Sequence, residues 1–256
     1  MQNIYFSTQA GNQVCGLLAI PPGASSIVVM SHGFTSSKDS RIYAELQEML
    51  NKAGMGTLRY DYYGHGESDG NFEDITLQKA FASIDAAVAM VKRKGDYRIG
   101  LLGASFGGLL SILKASLDPD KVNALALKSP VTDLVEFWKN RVGESGIEKW
   151  KGEGVLHYDD LGEKYDLKYG FWEAMQGYHD KVPKFAEMKI KCPSLVVHGD
   201  ADVVVPIGPS RKFAELIGAK FHVVEGADHA YSNKEHYEEC KRVMVDFLAE
   251  NLTQQN

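Results

Sequence analysis

The pentapeptide Gly103-Ala104-Ser105-Phe106-Gly107 constrains this chain more than any other stretch, because of what flanks it. Upstream, Arg98-Ile99-Gly100-Leu101-Leu102 is an apolar run of strand length. Downstream, Leu109, Leu110, Ile112 and Leu113 recur at helical spacing. A G-x-S-x-G sequence between a strand and a helix makes a turn so tight that side chains at the glycines would clash. It also holds the serine in a strained backbone conformation. The hydroxyl then stands at the sheet edge with a helix N-terminus behind it. The competing reading is a glycine-rich strand-to-helix turn with an incidental serine, and the rest of the chain has to decide.

Strand and helix signals alternate on both sides of this turn. Residues 3–8 and 14–20 flank Ala10-Gly11-Asn12 and read as an antiparallel hairpin. Further strands are expected over 26–30, 55–59, 122–128, 194–198 and 220–224. A helix with Ile42, Leu46, Met49 and Leu50 on one face stops near Gly54. Another, capped by Thr76, buries Leu77, Ala80, Phe81, Ile84, Val88 and Val91. The last helix opens on a capping box from Ser232 to Glu235 and buries Cys240, Val243, Met244, Phe247 and Leu248. A hairpin followed by βα units implies an α/β fold: a mostly parallel eight-stranded sheet with helices on both faces.

One stretch breaks the rhythm. Residues 132–189 hold all three tryptophans, Trp138, Trp150 and Trp172, with several tyrosines and glycines. Hairpins are expected within 149–158 and within 165–171. So long a departure from alternation reads as a lid inserted over the sheet edge of a single domain spanning residues 1–256. At 256 residues and 44% hydrophobic content the chain can bury a full core for such a domain. Its net charge of −6, with no basic patch interleaved with aromatics, excludes a nucleic-acid binder. Apolar runs are strand-sized, which leaves no membrane span, and the first residues lack the pattern of a signal peptide. Cys15, Cys192 and Cys240 are odd in number, apolar in context and without metal-ligand spacing. They read as core residues in a reducing compartment, so the expected address is cytoplasmic.

A serine hydroxyl needs a base, a group that orients the base, and donors for the developing oxyanion. In a parallel α/β sheet these parts belong beyond the carboxyl ends of the strands. His229, in Gly226-Ala227-Asp228-His229-Ala230 between the last strand and the last helix, is the candidate base. The acid comes from His198-Gly199-Asp200-Ala201-Asp202 after the preceding strand. Asp200 lies closest to the strand end and suits a turn-capping role, so Asp202, further into the loop, is the stronger candidate. Asp228 is disfavoured because adjacent side chains rarely meet in a hydrogen bond. Backbone N–H groups of Phe106, after the serine, and of Phe34, in Ser31-His32-Gly33-Phe34 after the third strand, are the candidate oxyanion hole. His32 reads as a brace for that loop. Asp61-Tyr62-Tyr63-Gly64-His65-Gly66-Glu67-Ser68 reads as a wall of the site, with no direct chemical role for His65 or Ser68.

Ser, Asp and His in that chain order, with His32-Gly33-Phe34-Thr35, Gly64-His65-Gly66-Glu67-Ser68-Asp69-Gly70, Phe72-Glu73-Asp74 and Glu225-Gly226-Ala227-Asp228-His229, resemble the α/β-hydrolase superfamily. Within it the chain is similar to serine esterases that include bacterial cinnamoyl and feruloyl esterases, with monoacylglycerol lipases and serine aminopeptidase-like members nearby. The resemblance covers the chain from the first hairpin through Leu252, apart from the insertion. It implies Ser105 as nucleophile, Asp202 as acid, His229 as base, and Phe34 and Phe106 as oxyanion donors. In cinnamoyl esterases an inserted lid reads the phenolic end of the acyl group, which makes Glu136, Glu144 and Tyr158 the counterparts to test. Trp138, Tyr158 and Trp172 are the candidate walls of a flat acyl slot, or else members of the lid's own small core.

The expected activity is hydrolysis of small aromatic, hydroxycinnamoyl-type or short-chain carboxylic esters through an acyl-enzyme. No metal and no organic cofactor is expected. A monoacylglycerol lipase or acyl thioesterase is the first alternative, and a ligand-sensing relative with a vestigial triad is the second. The expected partners are a small-molecule ester and, at most, a second copy of the chain in a homodimer.

Overall fold

The computed structural model describes residues 2–160, 163–179 and 188–253. Strands β1 (Gln2–Ser7), β2 (Gln13–Ala19), β3 (Ser26–Ser31), β4 (Gly56–Tyr60), β5 (Arg98–Ala104) and β6 (Ala124–Lys128) build most of an eight-stranded sheet. Its strand order is β1-β2-β4-β3-β5-β6-β9-β10, with β9 at Ser194–Gly199 and β10 at Lys220–Val224. β2 runs antiparallel to both neighbours, and every pairing from β4 to β10 is parallel. β3 is wholly buried, as expected of a run covered on both faces.

Alternation along the central strands divides the core in two. Ile27 and Val29, Ile99 and Leu101, and Leu125 and Leu127 point to one side. There they meet α2 (Leu77–Lys94), α3 (Phe106–Leu117) and α6 (Ile207–Ile217). Val28 and Met30, Leu102 and Ala104, and Ala124 and Ala126 point to the other, under α1 (Arg41–Lys52) and α7 (Lys234–Leu252). Thr76 caps α2 by accepting from Lys79 N at 3.2 Å.

Three sequence expectations are corrected here. α7 is capped by Asn233, whose side-chain oxygen accepts from Glu235 N and His236 N, and not by a box from Ser232. An amide oxygen one residue closer to the helix captures the same orphan donors. On that helix Val245 is buried, whereas Val243 is only half-buried. Within the insertion, residues 149–153 are helical and not part of a hairpin. They finish α4 (Leu134–Glu153), capped by Asp133 and interrupted at Gly143, φ 70°. Gly154 ends it in the left-handed region, its N–H donating to Trp150 O at 2.8 Å. The hairpin follows, β7 (Val155–Asp160) against β8 (Glu163–Lys168). α5 (Gly170–His179) comes next. Ile147, Trp150, Leu167, Phe171, Trp172 and Met175 join these elements to the α2 side of the core. Trp150 Nε1 donates to Leu167 O at 2.8 Å, which satisfies its one polar atom. The end of the stretch that the sequence assigns to the insertion, 180–187, lies outside the described residues.

Gly107 is one of the tightest points of this architecture. A Cβ there would lie 2.1 Å from Ser31 O and 2.4 Å from His32 O, so the first turn of α3 sits directly on the backbone after β3. Those atoms belong to a buried main chain and have nowhere to move. Gly107→Ala is expected to lower unfolding free energy by about 1–3 kcal/mol, read as a lower urea midpoint at unchanged m. Gly152→Ala, within α4 and with nothing inside 4 Å of the added carbon, should leave the midpoint unchanged or raise it. Equal midpoints for the two variants would contradict this packing.

Candidate active site

Ser105 joins β5 to α3 with φ 52° and ψ −117°, a strained conformation for a residue with a side chain. Hydrogen bonds on both sides hold it. Ser105 N donates to Lys128 O at 3.0 Å, and Ser105 O accepts from Gly108 N at 3.0 Å and Val131 N at 3.1 Å. Phe106 is the first residue of α3, so its N–H has no acceptor inside the helix.

The loop after β3 lies against this elbow. A Cβ on Gly33 would sit 3.9 Å from Ser105 Cβ, and the rings of Phe34 and Phe106 are 5.2 Å apart. Side chains from three directions fix the loop's carbonyls. Tyr43 OH donates to Ser31 O at 2.9 Å and Tyr62 OH to His32 O at 2.6 Å. His65 Nε2 lies 2.5 Å from Phe34 O, and His32 Nδ1 lies 2.8 Å from Gly33 O. Carbonyls accept only, so both ring nitrogens carry the proton. Burial, reinforced by each other's proximity for His32, pushes both imidazoles below the usual histidine range. His32 thus braces the loop, as its sequence context suggests. His65 is tied to the same loop through a contact that its own loop sequence does not reveal.

On the other side of Ser105 the loops after β9 and β10 meet. His229 Nδ1 lies 2.7 Å from Asp202 Oδ2. A carboxylate only accepts, so Nδ1–H donates and Nε2 keeps its lone pair. Asp202 Oδ1 accepts from Val204 N at 3.0 Å and Val205 N at 2.8 Å. Burial works against the charge on Asp202, yet donors from His198, His229 and the Val205 amide hold its carboxyl well below the usual carboxylate range. Asp200 is placed differently: its Oδ1 accepts from Gly226 N at 2.6 Å and braces the turn. Asp228 turns away from its neighbour and accepts from Ser232 N at 2.9 Å.

Ser105, His229, Phe34 and Phe106 all line one cavity of about 480 Å³ beneath the insertion. Of the aromatic candidates, Trp138 and Tyr158 line it, and Trp172 does not. Trp172 is 2% exposed and packs 6.3 Å from Trp150, inside the insertion's own core. Glu136 and Glu144 are exposed and absent from the lining. The carboxylate from the insertion that does reach the cavity is Asp160, at the end of β7. It accepts a hydrogen bond from Thr35 Oγ1, and Arg141 Nη2 stands 3.9 Å away. Lys128, Phe137, Val203 and Val204 also line the cavity without having been singled out in the sequence. Lys128 is the last residue of β6, the strand beside the elbow's own, and donates to His229 O at 2.8 Å. Its position at a strand's carboxyl end was the signal that could have found it.

The family model of the serine aminopeptidases, S33, matches residues 22–151. Among solved structures, Est1E from Butyrivibrio proteoclasticus with ferulic acid bound superposes with a TM-score of 0.83 at 31% identity, covering 98% of this chain and 100% of that one. Human mitochondrial palmitoyl-protein thioesterase ABHD10 is 26% identical over 210 residues, 76% of this chain and 63% of that protein. The chain therefore spans just under two thirds of the length of that relative. A monoglyceride lipase homolog of monkeypox virus is 26% identical over 245 residues, 86% of this chain and 87% of its own.

The two aspartates after β9 give a direct test of the site. Asp202→Asn is expected to lower kcat on any ester the chain cleaves by roughly 10⁴-fold, because an amide disturbs the tautomer of the imidazole it faces. Asp200→Asn keeps an oxygen for Gly226 N and should lose far less. The reverse order would move the acid to Asp200.

Proposed function

We propose, on the premise that this chain belongs to the serine aminopeptidase S33 family and has the α/β-hydrolase fold, that it is a serine carboxylesterase acting on small aromatic, hydroxycinnamoyl-type esters. His229 Nε2 takes the Ser105 proton as Oγ attacks the ester carbonyl. The tetrahedral oxyanion lies between the amides of Phe34 and Phe106. Collapse expels the alcohol with the proton held by His229, and the acyl group stays on Ser105. Water then gives a proton to His229 as it attacks the acyl-enzyme, and His229 passes that proton to Ser105 Oγ as the acyl bond breaks and the acid leaves. Asp202 holds the imidazole in its Nδ1–H tautomer and stabilises the imidazolium that forms in each half.

The observation that carries the choice of acyl group is the cavity wall. Phe34, Phe106, Phe137, Trp138 and Tyr158 line the space beside Ser105, and aromatic faces and edges of this kind accommodate a flat aryl group. The insertion is the lid over that slot. The likeness to a structure holding ferulic acid supports the same choice. The unpaired Cys15, Cys192 and Cys240 agree with work in a reducing, cytoplasmic compartment. No helix among the described residues is long and apolar enough to cross a membrane.

A second reading, a hydrolase of acyl thioesters or monoacylglycerols, is favoured by one feature of the rim. Val203, 91% exposed, and Val204 stand at the cavity mouth, where an acyl chain would lie. The thioesterase and lipase relatives support it too.

Hydrolysis of methyl ferulate and of p-nitrophenyl esters of rising chain length separates the two readings. The first expects hydroxycinnamate turnover and a short-chain optimum. A long-chain optimum without methyl ferulate turnover would establish the second in its place. Ser105→Ala should abolish turnover of every substrate with the urea midpoint nearly unchanged, and substantial residual rate would remove Ser105 from the mechanism. Asp202 is held ionised well below the usual carboxylate range, so a histidine base predicts a loss of activity on acidification along a one-proton limb, and a flat profile through about pH 5 would exclude it.

A further inference from the structure

Asp202 serves two imidazoles. Besides His229, the side chain of His198 on β9 reaches it, with Nε2 3.3 Å from Oδ2, the same oxygen that His229 Nδ1 approaches at 2.7 Å. His198 Nε2 also lies 2.9 Å from Val205 O. Both neighbours accept only, so Nε2 carries the proton, which it donates to Val205 O while its N–H dipole stands within 3.3 Å of Asp202 Oδ2. The ring is fully buried, and its Nδ1 has no hydrogen-bond partner among the described residues. No acceptor faces Nδ1, so the ring's proton belongs on Nε2.

We infer that His198 is a positioning residue for the proposed triad, sharing Oδ2 of Asp202 with His229 and thereby moderating how strongly the carboxylate favours the protonated base. The inference rests on the serine-esterase reading above. The sign follows from the geometry. A donor on Oδ2 takes up part of the negative charge that His229 would otherwise meet alone. Removing it leaves that oxygen wholly to His229, stabilises the imidazolium and moves the acid limb of activity to higher pH. The bond to Val205 O adds a mechanical part, because the Val205 amide N–H holds Oδ1 of the same carboxylate. His198 therefore closes a ring of bonds around Asp202 that sets the plane of the carboxyl group.

The other charged and titratable groups around this pair are placed so that the effect can be isolated. Lys128 from β6 donates to His229 O, Asp228 is engaged with Ser232 N, and Tyr231 and Cys240 lie on the α7 side. On β10, His222 is paired with Glu239 at 2.7 Å. α6, packed against β9, turns Arg211, Lys212 and Glu215 to solvent.

The test is the pH profile of kcat/KM on p-nitrophenyl acetate for the wild type, His198→Leu and His198→Gln. Leucine removes the donor at similar volume, and the acid limb should rise by roughly half to one pH unit. Glutamine places an amide N–H close to the position of Nε2 and should return the limb to the wild-type position. Limbs that coincide in all three proteins, whatever their plateaus, or a limb that moves to lower pH in the leucine variant, would reduce His198 to packing. Should the leucine variant fail to fold, His198→Asn, too short to span the gap, is read in the same way. A second readout needs no turnover. In ¹⁵N-histidine-labelled Ser105→Ala protein at pH 8, His198 should show the Nε2–H tautomer, and an Nδ1–H tautomer would overturn the assignment. Full activity of Ser105→Ala would sink the esterase reading while leaving that spectrum intact, so the two failures are distinguishable.

Discussion

Backbone pressed on backbone at the carboxyl edge of the sheet is the constraint on which the rest depends. Gly107 lets the first turn of α3 rest on the carbonyls of Ser31 and His32, and Gly199 does the same for the loop after β10, where a Cβ would meet Ala227 O at 2.1 Å. The first contact brings the loop carrying Phe34 to Ser105. The second brings the loop carrying His229 to Asp202. Around them lie the three non-glycine residues with left-handed backbone among the described residues, Ser105, Ser129 and Tyr231. Each such conformation costs on the order of 1–3 kcal/mol and persists only where neighbours over-determine it. The neighbours are visible: Ser129 N donates to Val197 O at 2.9 Å, Tyr231 N to Asp228 O at 3.1 Å, and Ser105 N to Lys128 O. The strain is gathered where three loops converge, and hydrogen bonds from the rigid strands sustain it.

The parts of this arrangement that could be read from the sequence are those in which one short segment supplies both the local geometry and the chemistry. Gly103 to Gly107 states its own turn. Near-continuous apolar runs in β3, β5, β6 and β9 state a sheet covered on both faces. The aspartate that pairs with His229 could be chosen in advance because Asp200 stands too near its strand's end to do anything but brace the turn, and its bond to Gly226 N has that form. Asp202, two residues on, has the reach.

What the sequence hid depends on contacts between segments far apart in the chain, or on a terminus signal that can be read two ways. Gly152-Glu153-Gly154 looks like a hairpin turn, yet Trp150 and Ile147 bury one helical face against the insertion's core, and Gly154 becomes a helix stop. Packing chose between two structures that the residues alone both permit. In the sequence Trp172 is indistinguishable from Trp138, since both are large, aromatic and within the insertion. Only the direction of α5 shows that it faces Trp150 and not the cavity. His198 lies within an apolar strand and reads there as an ordinary buried residue. Its contact with Asp202 needs the chain to turn back through Gly199, which periodicity does not record. Asp160 is hidden for a similar reason, since its bond to Thr35 spans 125 positions.

Phe34 links the insertion to the chemistry. Its loop is fixed from the sheet side by Tyr43, Tyr62 and His65, and from above by the insertion, where Asp160 takes the Thr35 hydroxyl and Phe34's ring lies 5.8 Å from Trp138 and 5.3 Å from Phe171. One residue therefore offers its side chain to the acyl slot and its amide to the oxyanion on the proposed reading. A group that fits the slot leaves the amide where the tetrahedral oxygen forms, and a group that crowds the ring displaces the amide along with it. Discrimination built this way acts on the transition state more than on the bound ester, because the amide strengthens its bond only as charge develops on the oxygen. Selectivity among acyl groups should then be written mainly in kcat, with KM following the general apolar fit of the cavity.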